Sequence, residues 1–297
     1  MVLLIDIGNT YTKITTDSGE FFTQFSTSSY KDTESLNDKL SSNLDGLEIK
    51  DAIISSVVKG RADIFKEYLD YKYNINSLIL THSLKFNIEY PKEEDNELGG
   101  DLIAIMEGLS KINKTFIGIS LGTATVFTVV KDLKFIGCAI APGILTSLNG
   151  LINSASLIED TKLSGAYNLL GMDTESSLKS GLWNGFTYLI DGYIKAIREE
   201  YDMIGASVYL VGGFSDIVIK NLKEKNIYID KDLIFKGLKE IYRLNREWNI
   251  WKNFYSLTEI MSCLEHTLPL RQWETSCAIK KVFQQTWYMD LSTYFKK

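Results

Sequence analysis

Histidine is almost missing from this chain: His82 and His266 are the only two in 297 residues. That excludes a histidine-centred triad or a His-rich zinc site, and leaves acid–base chemistry to carboxylates. Cysteine is nearly as sparse, with Cys138, Cys263 and Cys277 making three and no CxxC spacing among them. An odd, scattered set reads as reduced thiols rather than a disulfide framework. No apolar run approaches the roughly 18–20 residues of a membrane span. The first residues lack the charged stretch and long apolar core of a signal peptide. The expectation is a cytoplasmic protein with no membrane partner. Positive charge is not in excess either: the net charge is −6 and the pI about 5.2. This balance speaks against a nucleic-acid partner. What remains is a chain 45% hydrophobic and 24% charged, globular in composition and long enough for two domains.

One stretch organises the rest: Leu3-Leu4-Ile5-Asp6-Ile7-Gly8-Asn9-Thr10-Tyr11-Thr12-Lys13. An apolar run ends on an acid, then on Gly-Asn-Thr, and a lysine follows. The pattern predicts a buried strand, a tight turn and a second strand. Such a turn presents N–H groups, an amide and a hydroxyl to an anion, and glycine lets a phosphate approach the backbone. Asp6 stands where it could hold a metal beside that anion. An ordinary hairpin with a surface lysine is the plainer reading of the same residues.

A repeat strengthens the phosphate reading. Phe116-Ile117-Gly118-Ile119-Ser120-Leu121-Gly122-Thr123-Ala124-Thr125 overlays the first motif, Ile119 to Thr125 on Ile5 to Tyr11, with Ser120 at the place of Asp6. Val208-Tyr209-Leu210-Val211-Gly212-Gly213 is a third buried strand that ends in a glycine turn. Two duplicated units and a late Gly-Gly turn suggest a nucleotide held between two similar domains.

Between these landmarks, Thr33–Leu44 is polar and weakly helical. Asp51–Val58 is β-branched with a small-residue end and predicts a strand. Arg61–Tyr73 has helical spacing and Ser77–Leu80 is a short strand. Asp101 opens a clear helix after Gly99-Gly100. It reads as an N-cap and also as a general base kept ionised by the helix dipole, two roles that are compatible. In the second half, strands are expected over Leu133–Ile136 and Ala139–Ile144. Helices are expected over Leu145–Ala155, from Thr174 (capped by Asp173) to about Tyr201, and over Ile217–Leu222 and Asp232–Asn245. Residues 246–297 differ in kind: they hold four of the five tryptophans and none of the 21 glycines. The expected division is 1–114 and 115–245 as two domains, with 246–297 an atypical C-terminal extension.

Taken in order, Asp6-x-Gly8-Asn9-Thr10-x-x-Lys13, Leu98-Gly99-x-Asp101, Gly122-Thr123-Ala124, Pro142-Gly143, Gly171-x-x-Thr174, Val211-Gly212-Gly213-Phe214 and Asp232-Leu233-x-x-x-Gly237-Leu238 resemble the type III pantothenate kinases. These belong to the acetate and sugar kinase/Hsp70/actin superfamily. The likeness spans about residues 1–245. It implies an α/β fold of two similar actin-like (ribonuclease H-like) domains, with mixed sheets flanked by helices and a nucleotide cleft between them. It implies ATP-dependent phosphorylation of pantothenate, the first step toward coenzyme A. Asp6, Ile7, Gly8, Asn9, Thr10, Tyr11, Thr12 and Lys13 would bind ATP with Asp6 near Mg²⁺, and Thr123 would complete the ATP site. Asp101 would be the base. Tyr90, Gly99, Gly100, Asp101, the position of Leu102 and Thr174 would line the pantothenate pocket. A monovalent cation, K⁺ or NH₄⁺, and a homodimer are further implications.

The chain departs from the family pattern on the substrate and cation side. Leu102 replaces an arginine that meets the substrate, losing a charge-assisted contact of ~1.5–3 kcal/mol. Ser120 replaces the acid that holds the monovalent cation, Thr128 replaces a later acid, and Pro91 stands several residues early. Two alternatives therefore stay open: a nucleotide-binding or regulatory relative with impaired catalysis, and a kinase of another small hydroxyl substrate.

Overall fold

The structure is a computed structural model that describes residues 1–91, 97–154 and 168–246. The Trp-rich stretch 247–297 lies outside the described residues, as does the last residue of the helix expected over Leu145–Ala155. The chain divides into two compact units, Met1–Asn245 and Arg246–Lys297, and both sheets lie in the first.

The two sheets, each five-stranded, repeat one topology. In the first, β1 (Val2–Ile7), β2 (Tyr11–Thr16) and β3 (Phe22–Ser26) form an antiparallel meander. β4 (Asp51–Ser56) and β5 (Leu78–Ile79) then add in parallel on the other side of β1, giving the order β3-β2-β1-β4-β5. The parallel steps are bridged by α1 (Thr33–Leu44) and α2 (Arg61–Tyr73), as a crossover requires. The second sheet repeats this with β6 (Phe116–Leu121), β7 (Ala124–Lys131), β8 (Lys134–Pro142), β9 (Ser207–Val211) and β10 (Ile227–Ile229), in the order β8-β7-β6-β9-β10. β1 and β6 are central strands, which is why both read as mainly apolar runs, broken near their ends by Asp6 and Ser120.

Helices cover the sheets on both faces. Leu36 and Leu40 of α1 and Phe65 and Leu69 of α2 pack on Leu3, Ile5 and Ile54. α4 (Ile144–Ser154) and α5 (Thr174–Glu200) pack on Ile117, Ile119 and Phe127 of the second sheet. Between the sheets run α3 (Gly100–Ser110) and α7 (233–246), whose Ile103, Met106, Leu233 and Leu238 share one core with Leu4 and Ile53 from one sheet and Phe116 and Val126 from the other. α3 is buried from Leu102 to Leu109, as a helix apolar on all sides must be. α6 (Ser215–Val218) follows β9.

α3 and α7 meet backbone to backbone. A Cβ on Gly237 would overlap the Ala104 carbonyl, and one on Gly108 would sit 2.6 Å from the Leu233 carbonyl oxygen. Asn245 then ties α7 to the first half of the chain: it accepts from Lys85 N–H at 2.9 Å and donates to its carbonyl at 3.0 Å.

Most expected elements form within a residue or two of their expected bounds. The structure differs at three points. The two strands expected over 133–136 and 139–144 are one strand, β8; Leu133 belongs to a two-residue turn with Asp132, both at positive φ (59° and 51°), and this conformation suits a tight hairpin. The short β10 between Asn226 and Asp230 gave no periodic signal. Asp101 is not an N-cap: Gly99 takes that position, with φ −61° and ψ 142°, and its carbonyl accepts from Leu102 and Ile103.

The Gly237 contact makes a direct expectation. Gly237→Ala should destabilise the protein by at least about 1–3 kcal/mol through overpacking, read as a lowered midpoint of chemical denaturation. An unchanged midpoint would mean that the two helices do not cross this closely.

Candidate functional site

The turn after β1 is braced from below. Gly8 N–H donates to the Tyr11 carbonyl at 3.0 Å, and Thr27 binds both flanks, its N–H to the Thr10 carbonyl at 3.0 Å and its hydroxyl to the Gly8 carbonyl at 2.7 Å. Thr27 in turn shares a buried hydroxyl chain with Thr12 (3.1 Å), which reaches Tyr30 at 3.2 Å. Val57 N–H holds the Ile7 carbonyl from the neighbouring strand end at 3.1 Å. Of the residues assigned to phosphate binding, Asn9, Thr10 and Tyr11 are exposed, whereas the Ile7 and Thr12 side chains are buried in the core. Those two can contribute through backbone alone.

Asp6 and Lys13 are cross-strand partners, and Ser55 of β4 flanks Asp6 on the other side. Asp6 is 8% exposed. Burial pushes its carboxyl up to about 7, the Lys13 charge pulling it down and the Asp101 charge pushing it up. Asp6 therefore feels the charge of Asp101. Asp101 occupies the first turn of α3, and burial raises its carboxyl too, against the backbone N–H groups of Leu102 and of Asp101 itself, which favour the charged form. The two glycines before it leave no room for a side chain: a Cβ on Gly99 would meet Asp101 Oδ1 at 2.5 Å, and one on Gly100 would meet Ser55 Oγ at 2.9 Å. His82 Nε2 holds the Leu98 carbonyl at 2.9 Å, which anchors this approach. Leu102 turns into the core with 9% exposure. Position 102 therefore offers apolar packing and no charge.

In the second lobe the turn is stacked from backbone. Gly143 N–H and Thr146 Oγ1 both donate to the Thr123 carbonyl, at 3.0 and 2.6 Å, and a Cβ on Gly143 would strike Gly122 and Thr123. Gly212, at φ 113°, lies against Leu121 in the same way. Thr123 is exposed. The overlay of the two motifs holds only as far as the turn. Ile7 pairs with Thr12 but Leu121 pairs with Thr125, so the second hairpin is one residue shorter. Ser120 consequently faces Val126 and Val211 where Asp6 faces Lys13 and Ser55. No group of three or more His, Cys, Asp or Glu side chains that could enclose a metal exists among the described residues.

The remaining assigned residues do not all join this group. The Tyr90 hydroxyl donates to Glu107 Oε1 at 3.3 Å, and its ring packs on Phe86 and Phe135. Burial, then the Glu107 charge, raise the Tyr90 hydroxyl far above its ordinary value. Glu107 is fully buried and also accepts from the N–H groups of Asn87 and Ile88, so it clamps this segment to α3. Thr174 opens α5 beside a cavity of about 1190 Å³ whose walls include Pro142, Gly171, Leu178 and Phe186, but neither Asp6 nor Asp101. Sequence reasoning gave no role to Ser55 or Glu107. The small-residue end of β4 was the one visible signal for Ser55.

A model of the type III pantothenate kinase family matches residues 2–196. A type III pantothenate kinase from Sulfurihydrogenibium sp. is 30% identical over 248 residues, covering 80% of this chain and 98% of that protein. Another from Malacoplasma penetrans is 30% identical over 253 residues, covering 82% and 97%. Among solved structures, a protein assigned to the Baf family of transcriptional activators from Campylobacter jejuni matches with a TM-score of 0.53 at 18% identity, covering 81% of this chain and 97% of that one. A protein assigned as a 2-dehydro-3-deoxygalactonokinase from Sinorhizobium meliloti matches with a TM-score of 0.52 at 12% identity, covering 82% and 96%. At those identities the structures speak for the fold alone. The family match and the relatives, spanning the two duplicated sheets and the paired carboxylates, show that this chain belongs to the type III pantothenate kinase family.

Proposed function

We propose that the protein transfers the γ-phosphoryl group of ATP to the primary hydroxyl of pantothenate, giving 4'-phosphopantothenate and ADP. The observation that carries this is Asp6, buried at the end of β1 across from Lys13, with the half-buried Asp101 near enough for its charge to act on Asp6. Phosphoryl transfer asks mainly for positioning and charge neutralisation, and such a pair with a glycine turn supplies both.

Asp101 accepts the proton of the pantothenate hydroxyl as its oxygen attacks the γ-phosphorus, and ADP departs. The Gly8–Tyr11 turn and Lys13 cradle the phosphates, with Thr123 meeting the nucleotide from the second lobe. Asp6 would hold Mg²⁺, which supplies neutralisation of phosphate charge when bound. The fit is good: Mg²⁺ is commonly held by one or two carboxylates plus substrate phosphates rather than by an all-protein cage. Gly99 and Gly100 let substrate approach the first turn of α3, and Leu102 contributes only apolar surface nearby. Tyr90 stands behind this site as a partner of Glu107. The cavity at Thr174 is the second part of the pantothenate pocket, and a homodimer that joined it to Asp101 would complete that pocket.

The monovalent cation fits less well. Ser120 offers one neutral oxygen between two valines. The protein is therefore read as a kinase with little dependence on K⁺ or NH₄⁺. The same loss of charge, with that at Leu102, is what favours the second reading, a relative that binds nucleotide and has lost the reaction.

Asp101→Asn is expected to lower kcat by about 10²–10⁴-fold while nucleotide affinity holds. In the parent enzyme kcat/KM should fall on the acid side with a midpoint above the ordinary carboxylate range, because Asp101 works ionised and burial raises it. Full turnover by the variant would remove Asp101 as the base. Magnesium competes with a proton for Asp6, so Mg²⁺ affinity measured by titration calorimetry should weaken as pH drops through about 7; equal affinity at pH 6 and pH 8 would release Asp6 from that role. Ser120→Asp is expected to increase stimulation by K⁺ or NH₄⁺ in an ADP-release assay. A response to neither cation would locate the cation elsewhere.

A further inference from the structure

Ser55 is fully buried, and its hydroxyl has no hydrogen-bond partner. A buried hydroxyl left unpaired is costly, and folded proteins keep few of them. Its surroundings give it a use. Ser55 lies beside Asp6 in the parallel pairing of β1 and β4, so both side chains project to the sheet face that carries Leu4 and Ile53 toward α3. From the opposite side Gly100 closes in, with its Cβ position 2.9 Å from Ser55 Oγ. The hydroxyl is thus confined between the strand that bears Asp6 and the helix turn that bears Asp101. Asp6 is short of donors as well. Burial and the charges of Lys13 and Asp101 act on its carboxylate, and no hydrogen bond is among those influences. An unspent donor and a carboxylate that accepts from no side chain among the described residues stand side by side at the ends of adjacent strands.

We propose that Ser55 is a positioning residue for the divalent metal: in the nucleotide-bound enzyme its hydroxyl donates a hydrogen bond to the Asp6 carboxylate and fixes that carboxylate toward Mg²⁺. The proposal rests on the role of Asp6 put forward above. Partners behind a metal-ligating carboxylate orient it, and their removal typically costs about 10–100-fold in metal affinity. Gly100 belongs to the same device, since any larger residue there would push the hydroxyl away from Asp6.

The test compares the full-length protein with Ser55→Ala, Ser55→Cys and, as a control, Ser77→Ala. Ser77 is likewise buried with an unpaired hydroxyl, but it precedes β5, and the residue paired beside Asp6 is Ser55. Mn²⁺ affinity is measured by electron paramagnetic resonance with a non-hydrolysable ATP analogue, and the melting temperature is measured without ligand. Ser55→Ala should melt at or above the parent, because an unpaired buried hydroxyl has been removed, yet bind Mn²⁺ about 10–100-fold more weakly. Its KM for pantothenate should stay unchanged. Ser55→Cys keeps the shape with a weak donor and should show the same loss, so the test survives if the alanine variant folds poorly. Ser77→Ala should leave Mn²⁺ affinity intact. Parent-like Mn²⁺ affinity in both Ser55 variants overturns the proposal, as does an equal loss in Ser77→Ala. A shifted acid limb of kcat/KM with unchanged Mn²⁺ affinity would assign Ser55 to Asp101 and also overturn it. Failure of the parent to bind Mn²⁺ with nucleotide would remove the metal role of Asp6 and this proposal together. Normal binding without turnover of pantothenate would strike only the proposed substrate.

Discussion

A carboxylate kept out of water, Asp6, within reach of the charge of a second and half-buried one, Asp101, is the constraint on which this structure turns. Neither is neutralised by a bridging arginine. Asp6 has one cation, Lys13, across the β1–β2 ladder, and Asp101 has the N–H groups of its own helix turn. Holding them there demands rigid supports on every side: a central strand, a turn braced by Thr27 and Val57, and a buried helix pinned at Glu107 and packed on α7 through glycine. Such a pair is costly to keep ionised, and a cation brought beside it would lower that cost, which is how the metal role proposed for Asp6 would follow from the fold.

The duplication explains where the site lies and why its halves differ. Both sheets end their central strand in a glycine turn, with a parallel neighbour beside it. Only the first copy places charge at that strand end. The second copy has serine and two valines at the matching register, and its turn is stabilised by backbone stacking at Gly143 and Gly212 instead of by a hydroxyl chain. One lobe carries the electrostatics, while the other presents a smooth backbone surface and Thr123.

Much of this was legible in the residues. Helical spacing located α1 and α2, and the β1 and β6 runs announced buried central strands. Asp101 drew notice because it opens a helix directly after two glycines, which would let a substrate come close. The illegible parts have physical reasons. A serine at the end of a β-branched run looks like ordinary strand punctuation; it becomes notable only when the pairing sets it beside Asp6 and the helix packs a glycine onto it. Tyr90 was placed in the pantothenate pocket by the family resemblance alone, and only the fold shows its hydroxyl bonded to a buried glutamate sixteen residues beyond Pro91. The β-turn length is also hidden, since two motifs alike in composition give no sign that one hairpin is a residue shorter. Thr174 was recognised by its neighbours in sequence, and only the packing of α5 shows that its cavity is walled by other residues than Asp6 and Asp101.

The shorter second hairpin has a consequence for packing. A strand's side chains alternate between faces, so the register that begins with Leu121 opposite Thr125 sets Phe127 and Val129 toward α4 and α5, and Val126 and Val130 toward α3. A slip of that register by one residue would turn both sets over at once. The turn that carries Thr123 therefore also seats two cores, one on each face of the second sheet.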